Sequence, residues 1–161
     1  MNGPVFKLKT AFPFCKDCPA DKNCCTGETV DLPVLTPKDI DKISKKTGLV
    51  PGEFSIPTAQ GLSEIRSIKG MCYFYKQGKC TIYSVRPIDC KLFPFDAHLD
   101  DAGKPILVLH LNACPVSIDA EPFIKRAQFF FRQLHPYLEE FAAYRTQRFD
   151  RHSYKVLDAI T

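Results

Sequence analysis

Eight cysteines are the residues of this 161-residue chain with the most specific chemistry. Four lie close together as a CxxC and an adjacent pair, and four are spaced singly: Cys15, Cys18, Cys24 and Cys25, then Cys72, Cys80, Cys90 and Cys114. Thiolates at such spacings ligate zinc ions and iron–sulfur clusters. The pattern therefore predicts a cysteine-ligated metal centre, with all eight thiols as candidate ligands.

The spacing favours an iron–sulfur cluster, of the 4Fe-4S type, over Zn2+, although zinc stays open. A zinc ribbon usually shows two CxxC pairs, and this chain has one. A larger cluster tolerates ligands from separated loops, and the Cys18-Pro19 and Cys114-Pro115 dipeptides fit cluster ligands. Side chains of adjacent residues in extended backbone point to opposite faces. Cys24 and Cys25 therefore predict two centres, or one centre with a bystander thiol.

Composition and charge limit the class of protein. The chain is 45% hydrophobic and 25% charged, as expected of a globular protein. Residues 1–15 lack a signal-peptide-like apolar run, and no stretch reaches membrane-helix length. A cytoplasmic location with no membrane is therefore expected, where clustered cysteines are more often ligands than disulfides. Disulfides remain the alternative if the protein is exported.

Thiolate ligation also changes the meaning of the net charge. The formal charge of +4 falls to about zero if eight thiolates bind two centres whose core charge is about +2 each. A nucleic-acid partner is therefore disfavoured. A protein partner is expected but not identified, and the oligomeric state stays open.

The surrounding elements predict a single α+β domain over residues 1–161, with a cysteine core at about 15–115. A helix should run from the cap Thr36 to Gly48, followed by a loop over 49–63 and a short strand over 64–69. A hairpin turning at 76–79 should carry Cys72 and Cys80 near its two ends. Strand 106–111 follows the turn at 100–103. A long C-terminal helix should cover about 119–148, kinked or broken near Pro136.

A few other polar residues could support the centre. Arg86 could donate a hydrogen bond to a cluster sulfide or a bound thiolate, and Tyr83 could do so through its hydroxyl. A salt bridge for Arg86 and core burial for Tyr83 are the alternatives. Asp89 could cap a turn beside Cys90. Among four histidines without metal-type spacing, His110 stands nearest a cysteine, and a core or surface role is the simpler interpretation.

Three segments resemble the YkgJ-type cysteine cluster family, described as a zinc- or iron-chelating domain with eight cysteines. They are the CxxC followed by the CC pair, the run Gly70–Phe74 with Cys80–Tyr83, and the run Arg86–Pro94, with a late Cys-Pro at Cys114. The resemblance spans about residues 15–115. One departure is the gap of five residues, 19–23, between CxxC and CC, where the family often has fewer.

Function follows less directly from these ligands. The resemblance implies a metal-binding protein, and the first functional hypothesis is a redox or accessory factor. A metal-dependent protein-modifying enzyme is the second hypothesis, which needs a centre with an open coordination position; no catalytic residue is assigned. A structural zinc module that binds a partner is the third, and it needs closed four-cysteine sites.

Overall fold

The computed structural model describes residues 32–110, 121–147 and 154–157, with side chains described from 124 onward in the second range. These residues form two compact units, and the division in the chain falls after Cys90. Below, the first unit means described residues up to Cys90, and the second unit means those from Lys91 onward. Helices and short antiparallel strands occur in both, which confirms the α+β class.

The first unit is built from very short elements. In chain order they are β1 (Val34–Leu35), α1 (Pro37–Thr47), α2 (Pro51–Phe54), β2 (Ser55–Pro57), β3 (Ser63–Ile65), β4 (Ser67–Ile68), β5 (Met71–Cys72), β6 (Tyr75–Lys76), β7 (Lys79–Cys80), a 3-10 turn (Tyr83–Val85) and the start of α3 (Ile88–Leu92). Strand β3 lies between β1 and β2 in an antiparallel sheet. The next four strands form two separate hairpins, β4–β5 and β6–β7.

Helix α1 has the boundaries that its sequence predicts. The Thr36 hydroxyl accepts the Asp39 backbone N–H at 3.2 Å, and the Asp39 carboxylate accepts the Thr36 backbone N–H at 3.0 Å. Gly48 ends the helix with φ +77°, a conformation that glycine adopts without steric cost. The capping box and the glycine thus confirm the helix from Thr36 to Gly48.

The loop expected over 49–63 is wrong in its first half, where α2 and β2 lie. Pro51 occupies the first turn of α2, where its missing N–H costs no hydrogen bond. Glu53 completes the turn by accepting the Val50 backbone N–H at 2.8 Å. Pro51 therefore starts a helix within the stretch that the sequence predicts as a loop.

One hydrophobic core holds the first unit together. Its buried members come from β1, α1, α2, β3 and the hairpin region: Leu35, Ile43, Phe54, Ile65, Cys72, Phe74 and Ile82. The Phe54 and Phe74 ring centroids lie 5.5 Å apart. Cys80 packs against the margin of this core. The hairpins that carry two of the cysteines are therefore anchored by apolar burial rather than by extensive sheet pairing.

The second unit combines a sheet with two helices. Strand β9 (Pro105–His110) lies between β8 (Phe95–Leu99) and β10 (Tyr154–Val156), and all pairings are antiparallel. The helices are α4 (Glu121–Gln133) and α5 (Leu138–Thr146). The predicted strand and the turn at 100–103 are confirmed.

The expected long C-terminal helix is two helices. The break falls around Pro136, because proline has no N–H to donate and its ring clashes with the preceding turn. Apolar side chains that recur at three- and four-residue steps along these helices are buried at Ala127, Phe131, Leu134, Phe141 and Ala142, and Leu138 is half-buried. Phe123 lies outside the described side chains. In the described part of the chain, no helix has the length and apolarity to cross a membrane.

Candidate metal centre

The structure describes three of the eight predicted ligands. Cys72, Cys80 and Cys90 lie in the first unit, and no disulfide joins them to one another. The other five lie outside the described residues: Cys15, Cys18, Cys24, Cys25 and Cys114. The ligand set of eight therefore stays a prediction, and the geometry bears on the three thiols of the first unit.

Cys72 and Cys80 are placed by two consecutive hairpins of the same design. In β4–β5, Cys72 pairs with Ser67 across a two-residue turn, Lys69-Gly70. In β6–β7, Cys80 pairs with Tyr75 across the turn Gln77-Gly78. All four turn residues have positive φ, between +51° and +79°, as a tight type I′ hairpin turn requires.

The two hairpins match residue by residue at a shift of eight positions. The Tyr73 backbone N–H donates to the Arg66 carbonyl at 3.0 Å, and the Thr81 N–H donates to the Phe74 carbonyl at 2.9 Å. Each cysteine therefore follows its turn glycine by two residues and precedes an equivalent ladder hydrogen bond. This corrects the single hairpin expected from the sequence, because Lys69-Gly70 forms a second turn between β4 and β5.

The Cys72 sulfur lies in a setting suited to a metal-bound thiolate. Its side chain belongs to the apolar core and is 9% exposed. The backbone N–H groups of Phe74 and Tyr75 donate to it. Burial raises the pKa of the Cys72 thiol to about 11, and the nearby charge of Cys80 adds to this rise. The Cys72 thiol is therefore hard to deprotonate when no cation is near, although two backbone hydrogen bonds favour the thiolate. A bound cation would stabilise that charged form.

Cys90 lies on α3, and two hydrogen bonds of buried aspartates hold this helix in place. The Asp39 carboxylate accepts the Ile88 backbone N–H at 3.2 Å, and the Asp89 carboxylate accepts the Val34 backbone N–H at 2.8 Å. Burial raises the pKa of Asp39, while hydrogen bonds from Thr36 and Ile88 act to lower it. Asp89, expected to cap a local turn, instead ties α3 to β1. These two hydrogen bonds form a clasp that ties the helix carrying Cys90 to α1 and β1.

Arg86 and Tyr83 contact each other directly. The Arg86 guanidinium carbon lies 4.1 Å from the Tyr83 ring centroid, and Nη1 donates to the Tyr83 carbonyl at 3.1 Å. Within the described ranges, Arg86 has no carboxylate partner, and its buried Nε has no hydrogen-bond acceptor. The predicted salt bridge is therefore not seen there. The side chain is 9% exposed, so its charge is held in a largely buried position.

A different cluster in the second unit was missed from the sequence. Asp96 and His98 of β8 meet His110 of β9, and potential ligand atoms of all three lie within 4.8 Å of one another. The His110 Nε2 is 2.8 Å from Asp96 Oδ2, and Arg145 Nε of α5 donates to the same oxygen at 2.8 Å. Alternation along β8 was the available signal, since Asp96 and His98 share one face of a strand.

This cluster contains a buried ionised carboxylate. Burial alone acts to raise the pKa of Asp96, but the Arg145 guanidinium and hydrogen bonds from His110 and His98 hold that pKa well below its usual range. Among the four histidines, the sequence singles out His110 because it lies nearest a cysteine, Cys114. The described structure instead shows it paired with Asp96 in a polar network.

A protein-family model described as "CxxCxxCC: Putative zinc- or iron-chelating domain" matches residues 14–115. The chain belongs to the CxxCxxCC family. The match covers most of the chain and includes all eight cysteines, which confirms the resemblance found in the sequence. This member departs from the family name in one place, since five residues rather than two separate its CxxC from its CC pair. No curated protein and no solved structure matches the chain.

Proposed function

We propose that this CxxCxxCC protein holds a cysteine-ligated iron–sulfur cluster, of the 4Fe-4S type, and serves as a redox or accessory factor. The observation that carries the proposal is the placement of Cys72 and Cys80 by two matching hairpins. The two sulfurs are near enough for the charge of the Cys80 thiolate to raise the pKa of Cys72. Cys90 and the five cysteines outside the described residues complete the proposed ligand set. A cluster bound there would supply electron transfer or Lewis acidity.

The surroundings of Cys72 support a bound thiolate rather than an inert buried thiol. An inert apolar cysteine needs no hydrogen-bond donors, yet hydrogen bonds from the backbone N–H groups of Phe74 and Tyr75 act to lower the pKa of this thiol. Hydrogen bonds to ligating sulfurs and burial are two factors that set a cluster's reduction potential. Arg86 and Tyr83 are the proposed outer residues, because the Arg86 charge is buried beside the chain segment that leads to Cys90.

Zinc is the second candidate, and the same pair of hairpins is compatible with it. Two thiols that each follow a tight turn resemble the paired ligands of a tetrahedral zinc site, in which four sulfurs surround one ion. A closed zinc site would make the protein a structural module for a protein partner. A centre with an open position would instead allow a metal-dependent protein-modifying enzyme. We propose a cytoplasmic location for either, because a reducing compartment keeps the thiols available.

Anaerobic purification with iron, zinc and acid-labile sulfide analysis tests the proposal. A brown protein with visible absorption and sulfide comparable to iron is the expected result. A colourless protein with stoichiometric zinc would replace the cluster with the second candidate. A metal-free protein whose thiols are all oxidised would overturn both.

Ligand substitutions then test the three described cysteines. Cys72→Ser and Cys80→Ser should each lower the metal content markedly and bleach the spectrum. Met71→Ser and Lys79→Ser are matched controls, because each changes the residue just before a cysteine at an exposed position of the same hairpin. Unchanged metal content in both cysteine variants would remove the hairpin thiols from the ligand set.

A further inference from the structure

We propose that Asp96, His98 and His110 form a second metal site in this protein, one with nitrogen and oxygen ligands for a divalent ion such as Zn2+ or Fe2+. Two imidazoles and one carboxylate are a ligand set that these ions accept. The site belongs to the second unit and uses none of the cysteines. This proposal can therefore be tested independently of the proposed cysteine centre.

The sheet brings these three side chains together. Asp96 and His98 are two residues apart on β8 and share one face. Asp96 pairs with Val108 of β9, and His110 lies two residues beyond Val108, so it projects from that same face. Tyr154 of β10 pairs with His110. The ligands thus come from neighbouring strands of one sheet rather than from mobile loops, as a preorganised site requires.

Two of the three ligand-atom distances are close to those around a coordinated ion, and all three ligand atoms lie within 4.8 Å of one another. The His98 Nε2 lies 3.5 Å from Asp96 Oδ2, and the His110 Nε2 lies 2.8 Å from it. Ligand atoms around a tetrahedral ion are about 3.3 Å apart at bond lengths near 2.0 Å. His98 is already at that spacing, and His110 would move away by only about half an ångström.

Packing orients the imidazole rings. The Tyr154 ring lies 4.6 Å from the His98 ring in an edge-to-face arrangement, and the two histidine rings are 5.5 Å apart. The Asp96 and His98 side chains are fully buried, and His110 is nearly so. An ion held there would be shielded from solvent, and its role would be to stabilise the sheet rather than to meet a large substrate.

Arg145 is the feature that sets the strength of this site. Its Nε lies 2.8 Å from Asp96 Oδ2, the oxygen on which both histidines converge. An entering dication would share this oxygen with a guanidinium, and like charges at such short range repel strongly in a buried site. Arg145 therefore acts as the resident counter-cation of Asp96. Its removal should favour the ion.

The test is titration of the full-length protein with Co2+ under anaerobic conditions, followed by optical spectroscopy. Cobalt bound by thiolates gives intense near-ultraviolet charge-transfer bands, whereas cobalt bound by nitrogen and oxygen gives only weak visible bands. The wild type should show a nitrogen-and-oxygen class, and His98→Gln and His110→Gln should each lose that class while keeping any thiolate bands. His135→Gln, at an exposed position, is the matched control and should change nothing.

Arg145→Gln supplies the second arm. It should tighten cobalt binding at the nitrogen-and-oxygen class by at least about tenfold, because the competing charge is gone. The proposal is overturned if the His98 and His110 variants keep the wild-type cobalt spectrum and stoichiometry. It is also overturned if Arg145→Gln folds and binds no more tightly. Should Arg145→Gln fail to fold, the two histidine variants decide.

Discussion

Cys72 and Cys80 occupy the same position in two consecutive hairpins, eight residues apart in the chain. Each follows a two-residue turn with positive φ and precedes a matching ladder hydrogen bond. Very short strands contribute few pairing interactions of their own, so the turn geometry fixes where each sulfur lies. The precision of this half of the proposed centre therefore depends on Gly70 and Gly78.

Gly70→Ala and Gly78→Ala should each destabilise the first unit and weaken metal binding. The two glycines have φ of +79° and +74°, and a side chain in this region costs about 1–2 kcal/mol per residue. No neighbouring atom would meet the added methyl group, so the cost is conformational rather than steric. Urea unfolding and metal retention under a competing chelator measure the two effects.

Gly52→Ala is the control for this pair. Its φ is not positive, it lies in α2, and an added methyl group would also meet open space. Alanine should therefore be neutral or slightly stabilising there, since it favours a helix. If Gly52→Ala destabilises as much as the hairpin variants, the backbone argument fails.

Gln77→Asn should stabilise the second hairpin by up to about 1 kcal/mol. Gln77 has φ +51°, which is costly for a long side chain, and Asn-Gly is the preferred sequence for a type I′ turn. Thermal unfolding of the variant should show a higher midpoint. Lys69→Asn makes the same change in the first hairpin and should act in the same direction. A lower midpoint for both would mean that these turns are not under strain.

Local signals carried the predictions that the structure confirms. Thr36, Asp39 and Gly48 define both ends of α1, because a capping box and a glycine cap depend on neighbouring residues only. Pro136 marked the break between α4 and α5 for the same reason. The loop predicted over 49–63 was wrong around Pro51, because proline occurs both within loops and in the first turn of helices. Nothing in the neighbouring residues distinguished these two cases.

Contacts between residues far apart in the chain could not be predicted from the sequence. Asp39 binds the Ile88 backbone across 49 residues, and Arg145 binds Asp96 across another 49. Neither partner is visible from spacing. The alternation of Asp96 and His98 could have suggested a polar face on β8, but the register that adds His110 follows only from the folded sheet.

Asp39→Ala and Asp89→Ala should loosen the helix that carries Cys90. Each change leaves a backbone N–H without its acceptor, at Ile88 or at Val34, which costs about 1–3 kcal/mol where the group is buried. Asp39→Ala should cost more, since it also removes the capping box of α1. Amide hydrogen exchange at Ile88 and Val34 would report the local loss, and metal retention would report its effect on Cys90.

Asp41→Ala is the matched control on the same helix. Asp41 is exposed and pairs with Lys45 at 2.8 Å, one turn along α1. Exposed pairs of this kind contribute at most about 0.5 kcal/mol. Its exchange rates at Ile88 and Val34 should equal those of the wild type. Equal effects from all three variants would argue that helix charge, rather than the clasp, is being measured.

Asp96→Asn should lower stability at neutral pH by about 3–5 kcal/mol, because it leaves the Arg145 charge buried and unpaired. The folded pKa of Asp96 is held below its usual range, so its contribution is fully present above the unfolded value near 3.9 and is lost as pH falls below it. The asparagine variant has no such group to protonate. The stability difference between the two proteins should therefore be constant from pH 7 to about 5 and shrink from about pH 4 downward.

Urea unfolding of both proteins across this range measures that difference. Asp101→Asn, on the exposed turn between β8 and β9, is the control and should show little difference from the wild type at any pH. His98 and His110 are present in all three proteins, and the Asp96→Asn curve shows what titrates besides Asp96. A difference that stays constant down to pH 3 would mean that Asp96 keeps its ordinary pKa. The Arg145 ion pair would then not be what holds this carboxylate ionised inside the second unit.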